Sequence, residues 1–310
     1  MGKWQWPNVC FPQHFKKCVP GLAIALFFTT VLNIVPVKAD DAGAKDISGN
    51  TAFDGTYVIH LSESARAGAS GRPEPGYFDN LAIELFTQSG LDIEFVPQMP
   101  WKRQMEIADR EAGHVIYPTT RVDYREDVFK WVGPVSRTIW KLYGFENKGW
   151  PDIAFETLLR DARIGVLLGS AREAYLRMRG AEQLVMVPRE ELLLPMMMAD
   201  RVDLIAIGGN ILRHYIDQAR TESPDTPVPD VASALPYRTC YLYIAISGDV
   251  PDSDIAKLQA RLDTFKTNGF FVENRRQNGL SSNLESSFLK AMLDLDNNGV
   301  SCVDLNGIGP

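Results

Sequence analysis

Twice in this chain a helical stretch ends and a short apolar strand begins at once. Glu111-Ala112-Gly113-His114-Val115-Ile116-Tyr117 does so, and Ala199-Asp200-Arg201-Val202-Asp203-Leu204-Ile205 repeats the plan further along. Around each copy, strands and helices alternate. Thr56–Leu61 is rich in β-branched and aromatic residues and reads as a strand. A loop containing Gly68, Gly71, Pro73, Pro75 and Gly76 leads to a helix over Asp79–Ser89, with Leu81, Leu85 and Phe86 at helical spacing. Asp92–Val96 is a strand, Trp101–Glu111 a helix and His114–Tyr117 a strand. The alternation then restarts: helix Asp152–Asp161, strand Arg163–Leu168, helix Ala171–Met178, strand Leu184–Val187, helix Leu192–Asp200 and strand Val202–Ile207. Such alternation predicts two α/β lobes of similar plan, each an open, largely parallel sheet with helices on its faces.

Past the second lobe, 221–230 reads as a surface loop and Tyr241–Ile246 as a strand. Asp254–Asn268 is an amphipathic helix with Ile255, Leu258, Leu262 and Phe265 on one face, closed by Gly269. The run Met196-Met197-Met198 invites a metal reading, but three consecutive residues cannot share a helix face, so core filling is expected.

Residues 1–39 are read as a cleaved secretory signal. Lys16 and Lys17 precede an apolar run from Gly21 to Val37, and Val37-Lys38-Ala39 precedes Asp40. The alternative, an uncleaved anchor, needs roughly 20 apolar residues, and this run carries Asn33 and Pro36. Removing four lysines and no acids leaves 28 basic against 39 acidic residues, a net charge of −11. That balance gives no electrostatic footprint for nucleic acid. Cys240 and Cys302 remain after cleavage; in an oxidising compartment they are either a disulfide or two separate thiols. The mature chain holds His60, His114 and His214 without metal-ligand spacing, and no nucleophile motif, phosphate loop or dinucleotide fingerprint, so no cofactor is expected.

Residues 117–127, YPTTRVDYRED, leave a strand and at once offer hydroxyls and two arginines. Together with Met99-Pro100-Trp101-Lys102-Arg103 and Phe129–Pro134, they resemble the first lobe of family 3 periplasmic solute-binding proteins, the extracytoplasmic receptors of ABC-type uptake systems for polar amino acids. Gly169-Ser170 and Arg201–Ile205 resemble the matching second-lobe segments, so the resemblance covers about 56–275 of a divergent member. It implies the two-lobed type II binding-protein fold with two hinge crossings. The expected division is lobe 1 from 50–136 plus 242–290, lobe 2 from 146–233, hinge segments at 137–145 and 234–241, and a C-terminal tail at 291–310.

The family spacing T-x-T-x-x-R falls on Thr120, Val122 and Arg125. The resemblance implies that Arg125 grips the ligand's carboxylate with its fork of donors and that Thr120 adds a hydroxyl or an amide. The other reading of Arg125 is an ion pair with Asp123, Glu126 or Asp127; Arg121, without a family counterpart, is expected at the surface. Trp101 stands where the family stacks an aromatic on the ligand, with a core role as the alternative. Gly169 and Ser170 open a helix whose free amides suit an anion. Ser62 and Glu63 lie in the first ligand loop. Val122 departs from the second family threonine, and Gly208 stands where the family places the aspartate that receives an ammonium group. Either Glu63 replaces it, or the ligand is not an α-amino acid. Asp203 reads as a structural loop residue.

The implied function is capture of a small carboxylate-bearing solute, amino-acid-like or related, by hinge closure in the periplasm, and its delivery to a membrane permease; a monomer is expected. The alternatives are a sensory protein presenting its liganded form to a membrane receptor, and a two-lobe dehydratase or transglycosylase using Glu173 or Glu63 as acid. Near the C-terminus, Asp294, Asp296 and Asn298 with Gly299 match the start of a calcium loop, but Leu305 and Ser301 break the plan at positions 12 and 8, so an Asx-rich turn is the competing reading.

Overall fold

The computed structural model describes residues 53–62, 66–67, 73–150, 153–223, 228–280 and 302–305, all within one compact unit, Ser48–Pro310. The expected signal at 1–39, Glu63 and the calcium-loop residues Asp294, Asp296 and Asn298 lie outside the described residues. In chain order the elements are β1 (Thr56–His60), β2 (Arg66–Ala67), β3 (Pro73–Glu74), α1 (Tyr77–Gln88), β4 (Asp92–Val96), α2 (Trp101–Ala108), β5 (His114–Thr120) and β6 (Phe129–Phe145). They continue with α3 (Phe155–Asp161), β7 (Ile164–Leu167), α4 (Ala171–Met178), β8 (Leu184–Val187), α5 (Leu193–Met198), β9 (Leu204–Ile207), α6 (Gly209–Glu222), β10 (Val231–Ser247), α7 (Asp252–Thr267), α8 (Phe270–Gln277) and β11 (Cys302–Asp304). Among the described residues no helix is long and apolar enough to cross a membrane.

Two long strands organise the rest. β6 and β10 pair antiparallel from Val231↔Phe145 to Ser247↔Phe129, with register shifts on the way. On one side, β5 pairs antiparallel with β10, and β1 lies between β5 and β4, parallel to both. On the other, β9 pairs antiparallel with β6, and β7 lies between β9 and β8, again parallel to both. Each half therefore sets its first strand between its second and third, and each hands its third strand to a different member of the long pair. The segments 137–145 and 234–241, expected as hinges, lie within β6 and β10. The halves share one sheet in the order β4-β1-β5-β10-β6-β9-β7-β8, with β11 added on β10.

Both faces of each half are covered, as parallel strands require. In the first half, Tyr57, Ile59, Ile244 and Ile246 meet Leu81, Leu85, Leu258, Leu262 and Phe265 from α1 and α7. On the opposite face Ile116 and Ala245 meet Ala108 of α2, with Trp101 and Met105 packed alongside. In the second half Ile164 and Val166 pack on Leu158 and Leu176, while Ile205 and Ile207 meet Met197 of α5 and Leu212 of α6. The Met196–Met198 run is core filling: Met197 is buried and its neighbours pack against the same cluster.

Several elements depart from the sequence expectation, three of them near the candidate site or the disulfide. The strand at 114–117 runs on to Thr120, through Pro118. α6 begins on Gly209, where the glycines hide a helix start, and its first turn carries no acid. Within the expected C-terminal tail, Cys302–Asp304 form a strand, joined to β10 by the Cys240–Cys302 disulfide.

Candidate functional site

The C-terminal ends of β5, β7 and β9 deliver Arg125, Gly169 with Ser170, and Gly208, while Ser62 follows β1 and Trp101 follows β4; strand C-termini are the edge at which open α/β sheets bind ligands. A short 3-10 turn, Asp123–Arg125, follows β5 and turns Arg125 inward. Its side chain is 3% exposed. Nη1 donates to Thr119 Oγ1 at 3.0 Å and to the Thr120 carbonyl at 3.3 Å, and Nη2 donates to the Gly169 carbonyl at 3.2 Å. Nε is buried without a partner. The guanidinium lies 5.9 Å from the Trp101 ring centroid and 5.3 Å from that of Tyr124. Burial lowers its pKa, with Tyr124 opposing the shift. Guanidinium nevertheless stays charged in proteins. Among the described residues no carboxylate lies within ion-pair distance of Arg125: Glu126, one of the acids expected as an alternative partner, is taken by Arg121 at 2.7 Å. Arg121, expected at the surface, has a side chain only 20% exposed and lies over Trp131 and Tyr243.

Trp101, at the start of α2, donates its indole N–H to the same Gly169 carbonyl at 3.2 Å. One second-half carbonyl thus receives donors from two first-half side chains. Gly169 adopts φ +75°, a conformation that disfavours a side chain, and a Cβ there would lie 3.4 Å from Lys102 Cβ.

Several expectations are redrawn. Arg125 itself meets the Thr119 hydroxyl and the Thr120 backbone carbonyl, contacts distinct from the one expected of Thr120 to a ligand. Ser170 caps α4 by accepting the Glu173 N–H at 3.1 Å, while Glu173 Oε2 accepts the Gly169 N–H at 2.6 Å. The Gly169 amide expected to be free for an anion is therefore held by the protein's own carboxylate. Ser62, expected as a ligand contact, gives its N–H and hydroxyl to Asp79 at 2.8 and 3.0 Å. Asp79, fully buried, also accepts from Gly76 N–H and Tyr117 O–H, so this corner is a structural tie. Asp203 binds Arg163 through both carboxylate oxygens, as read. No cluster of metal ligands occurs among the described residues.

No protein-family model and no curated protein sequence matches the chain. Solved structures do. A histidine kinase sensor domain with similarity to periplasmic binding proteins superposes with a TM-score of 0.59 at 17% identity, over 72% of this chain and 95% of that one. The fold is that of the two-lobed periplasmic binding proteins. The amino acid ABC transporter substrate-binding protein AbpA from Streptococcus pneumoniae, bound to L-arginine, matches with a TM-score of 0.56 at 16% identity, over 72% and 94%. The ancestral amino acid-binding protein AncCDT-1, a precursor of cyclohexadienyl dehydratase, matches with a TM-score of 0.55 at 15% identity, over 72% and 94%.

Sequence reasoning passed over Thr119 because the family spacing falls on Thr120. It also missed a pair on the second half, Arg172 with Glu190, joined at 3.2 Å. Arg172 sits in the first turn of α4 and Glu190 in a 3-10 turn after β8. No local spacing links them.

Proposed function

We propose that the chain is an exported solute-binding protein that captures a small carboxylate-bearing solute between two lobes and hands it to a membrane permease. The lobes would be 50–136 with 242–290 and 146–233, and they would close by bending at 137–145 and 234–241, within β6 and β10. The leader at 1–39 would be removed on export.

One observation carries this reading: a guanidinium 3% exposed, with one N–H unpartnered and no carboxylate beside it among the described residues. A buried charge without a counterion is costly unless something completes it. A ligand carboxylate would do so and displace the Gly169 carbonyl contact. Closing on the ligand would then gain contacts that the open form lacks, the condition for a ligand to shift a conformational equilibrium.

A thermal-shift panel on the purified chain tests the reading. A ligand at 100 times its dissociation constant adds about 2.7 kcal/mol. Arg125→Ala is expected to weaken a carboxylate ligand by well over tenfold, as loss of a two-pronged charged contact of about 1.5–3 kcal/mol requires. Arg121→Ala, outside the site, is expected to change affinity by less than about twofold. Unchanged affinity in Arg125→Ala would refute the assignment. A sensory role draws on the likeness to a kinase sensor domain; binding would be the same, and the downstream partner, a receptor in place of a permease, would separate the two.

A further inference from the structure

Arg172 offers more donors than its partner uses. Nη1 meets Glu190 Oε1 at 3.2 Å, Nε is buried without a partner, and Nη2 lies 3.6 Å from the point where a Cβ on Gly208 would stand. Glu190 is 4% exposed, and burial raises its pKa toward the neutral form against the pull of Arg172. The guanidinium is held in place by the Trp140 ring, 5.8 Å from its centroid.

What faces Arg172 is also rich in donors. Gly208 is the N-cap of α6, a helix of 14 residues with no side-chain cap and no acid in its first turn. The Tyr143 hydroxyl stands 2.5 Å from the point where a Cβ on Gly209 would lie, so it rests against that first turn. Burial raises the Tyr143 pKa, and the charges of Arg172 and Arg213 oppose the rise. α4 and α6 follow the adjacent strands β7 and β9, so Arg172 and the α6 start share the wall that carries Gly169.

We propose that Arg172, the Tyr143 hydroxyl and the first-turn amides of α6 form an anion pocket in the second lobe, so that the solute held at Arg125 carries a second acidic group, as a small dicarboxylate does. This rests on the solute-binding reading above. A ligand ammonium would meet a guanidinium and the positive end of a helix there, both repulsive to it. A second carboxylate would meet charge-assisted donors.

Isothermal titration of the purified chain tests the pocket with succinate and glutarate against butyrate, L-glutamine, L-arginine and inorganic phosphate. One dicarboxylate is expected to bind at least tenfold more tightly than any of the others. Arg172→Gln combined with Glu190→Gln avoids a stranded carboxylate and is expected to erase that preference while butyrate binding stays within twofold. Arg172→Lys keeps the charge without the fork and is expected to fall between; melting curves check that each variant folds. Equal or tighter binding of L-glutamine, L-arginine or phosphate overturns the pocket, as does a preference that survives the double variant or the absence of binding by every probe. Arg125→Ala separates the two claims: if it abolishes binding while the Arg172 variants behave as wild type, the pocket alone fails; if it changes nothing, the solute-binding reading fails.

Discussion

Cys240 and Cys302 close a loop with a sequence separation of 62 across the strand pair β10–β11. In the chain-entropy account, a closed loop of about 60 residues costs the unfolded state about 14 cal/mol/K, or about 4 kcal/mol at 25 °C. The folded state keeps other ties at the same place. Arg238 pairs with Asp304 at 2.8 Å, and the Leu305 N–H donates to the Tyr237 carbonyl at 2.9 Å. Both cysteines are buried among Trp140, Tyr175 and Tyr237, so opening the bond leaves β11 seated and acts chiefly on the unfolded chain. With about 2.1 cal/mol/K per residue of unfolding entropy over about 260 residues, a loss of about 4 kcal/mol lowers Tm by about 7 °C. Calorimetry of the Cys240→Ala/Cys302→Ala double variant, and of the wild type with and without reductant, reads this directly. A loss below about 1 kcal/mol in both would refute the reasoning, because it would mean that the loop is already closed in the unfolded chain or that the bond strains the folded one.

Two further outcomes follow from buried polar groups. His60 is 2% exposed, bonded through Nε2 to His114 Nδ1 at 2.8 Å, and its pKa is lowered to about 4 by burial first and by His114 second. Its folded value lies below its unfolded value, so its contribution is complete above about pH 6.5 and is lost as pH falls toward about 4, by about 2–3 kcal/mol. Chemical denaturation across that window should therefore show a slope that His60→Gln removes, and an identical slope in the variant would contradict the assignment. Asp79→Ala removes the acceptor of four hydrogen bonds from Ser62, Gly76 and Tyr117 and is expected to cost about 3–5 kcal/mol in urea unfolding, with a cost under 1 kcal/mol counting against the network.

Where one element's own residues decide its structure, the chain was readable. Leu258, Leu262 and Phe265 share a helix face and are buried there, and the strands at 56–60, 92–96, 164–167, 184–187 and 204–207 stand where apolar, β-branched runs fall. The parallel order around β1 and β7 followed from the alternation of strands and helices. What was not readable needed a partner from elsewhere. β6 carries Gly133 and Pro134, which argue locally against a strand, yet Gly133 lies under the Tyr243 ring of β10, where a Cβ would collide with it. The absence of a side chain there is a requirement of the pairing, visible once β10 is in place. The site divides in the same way. Arg125 stood out because a hydroxyl-rich strand end leads directly into it, and the structure buries it. That Thr119 supplies the hydroxyl, that Glu173 plugs the Gly169 amide and that Ser62 serves Asp79 depend on which neighbouring acid reaches each donor first. Arg172 is the sharpest case. In sequence it is a polar residue on a helix, one of the two arginines of α4, and its neighbours Glu190 and Gly208 come from elements that no local spacing links to it.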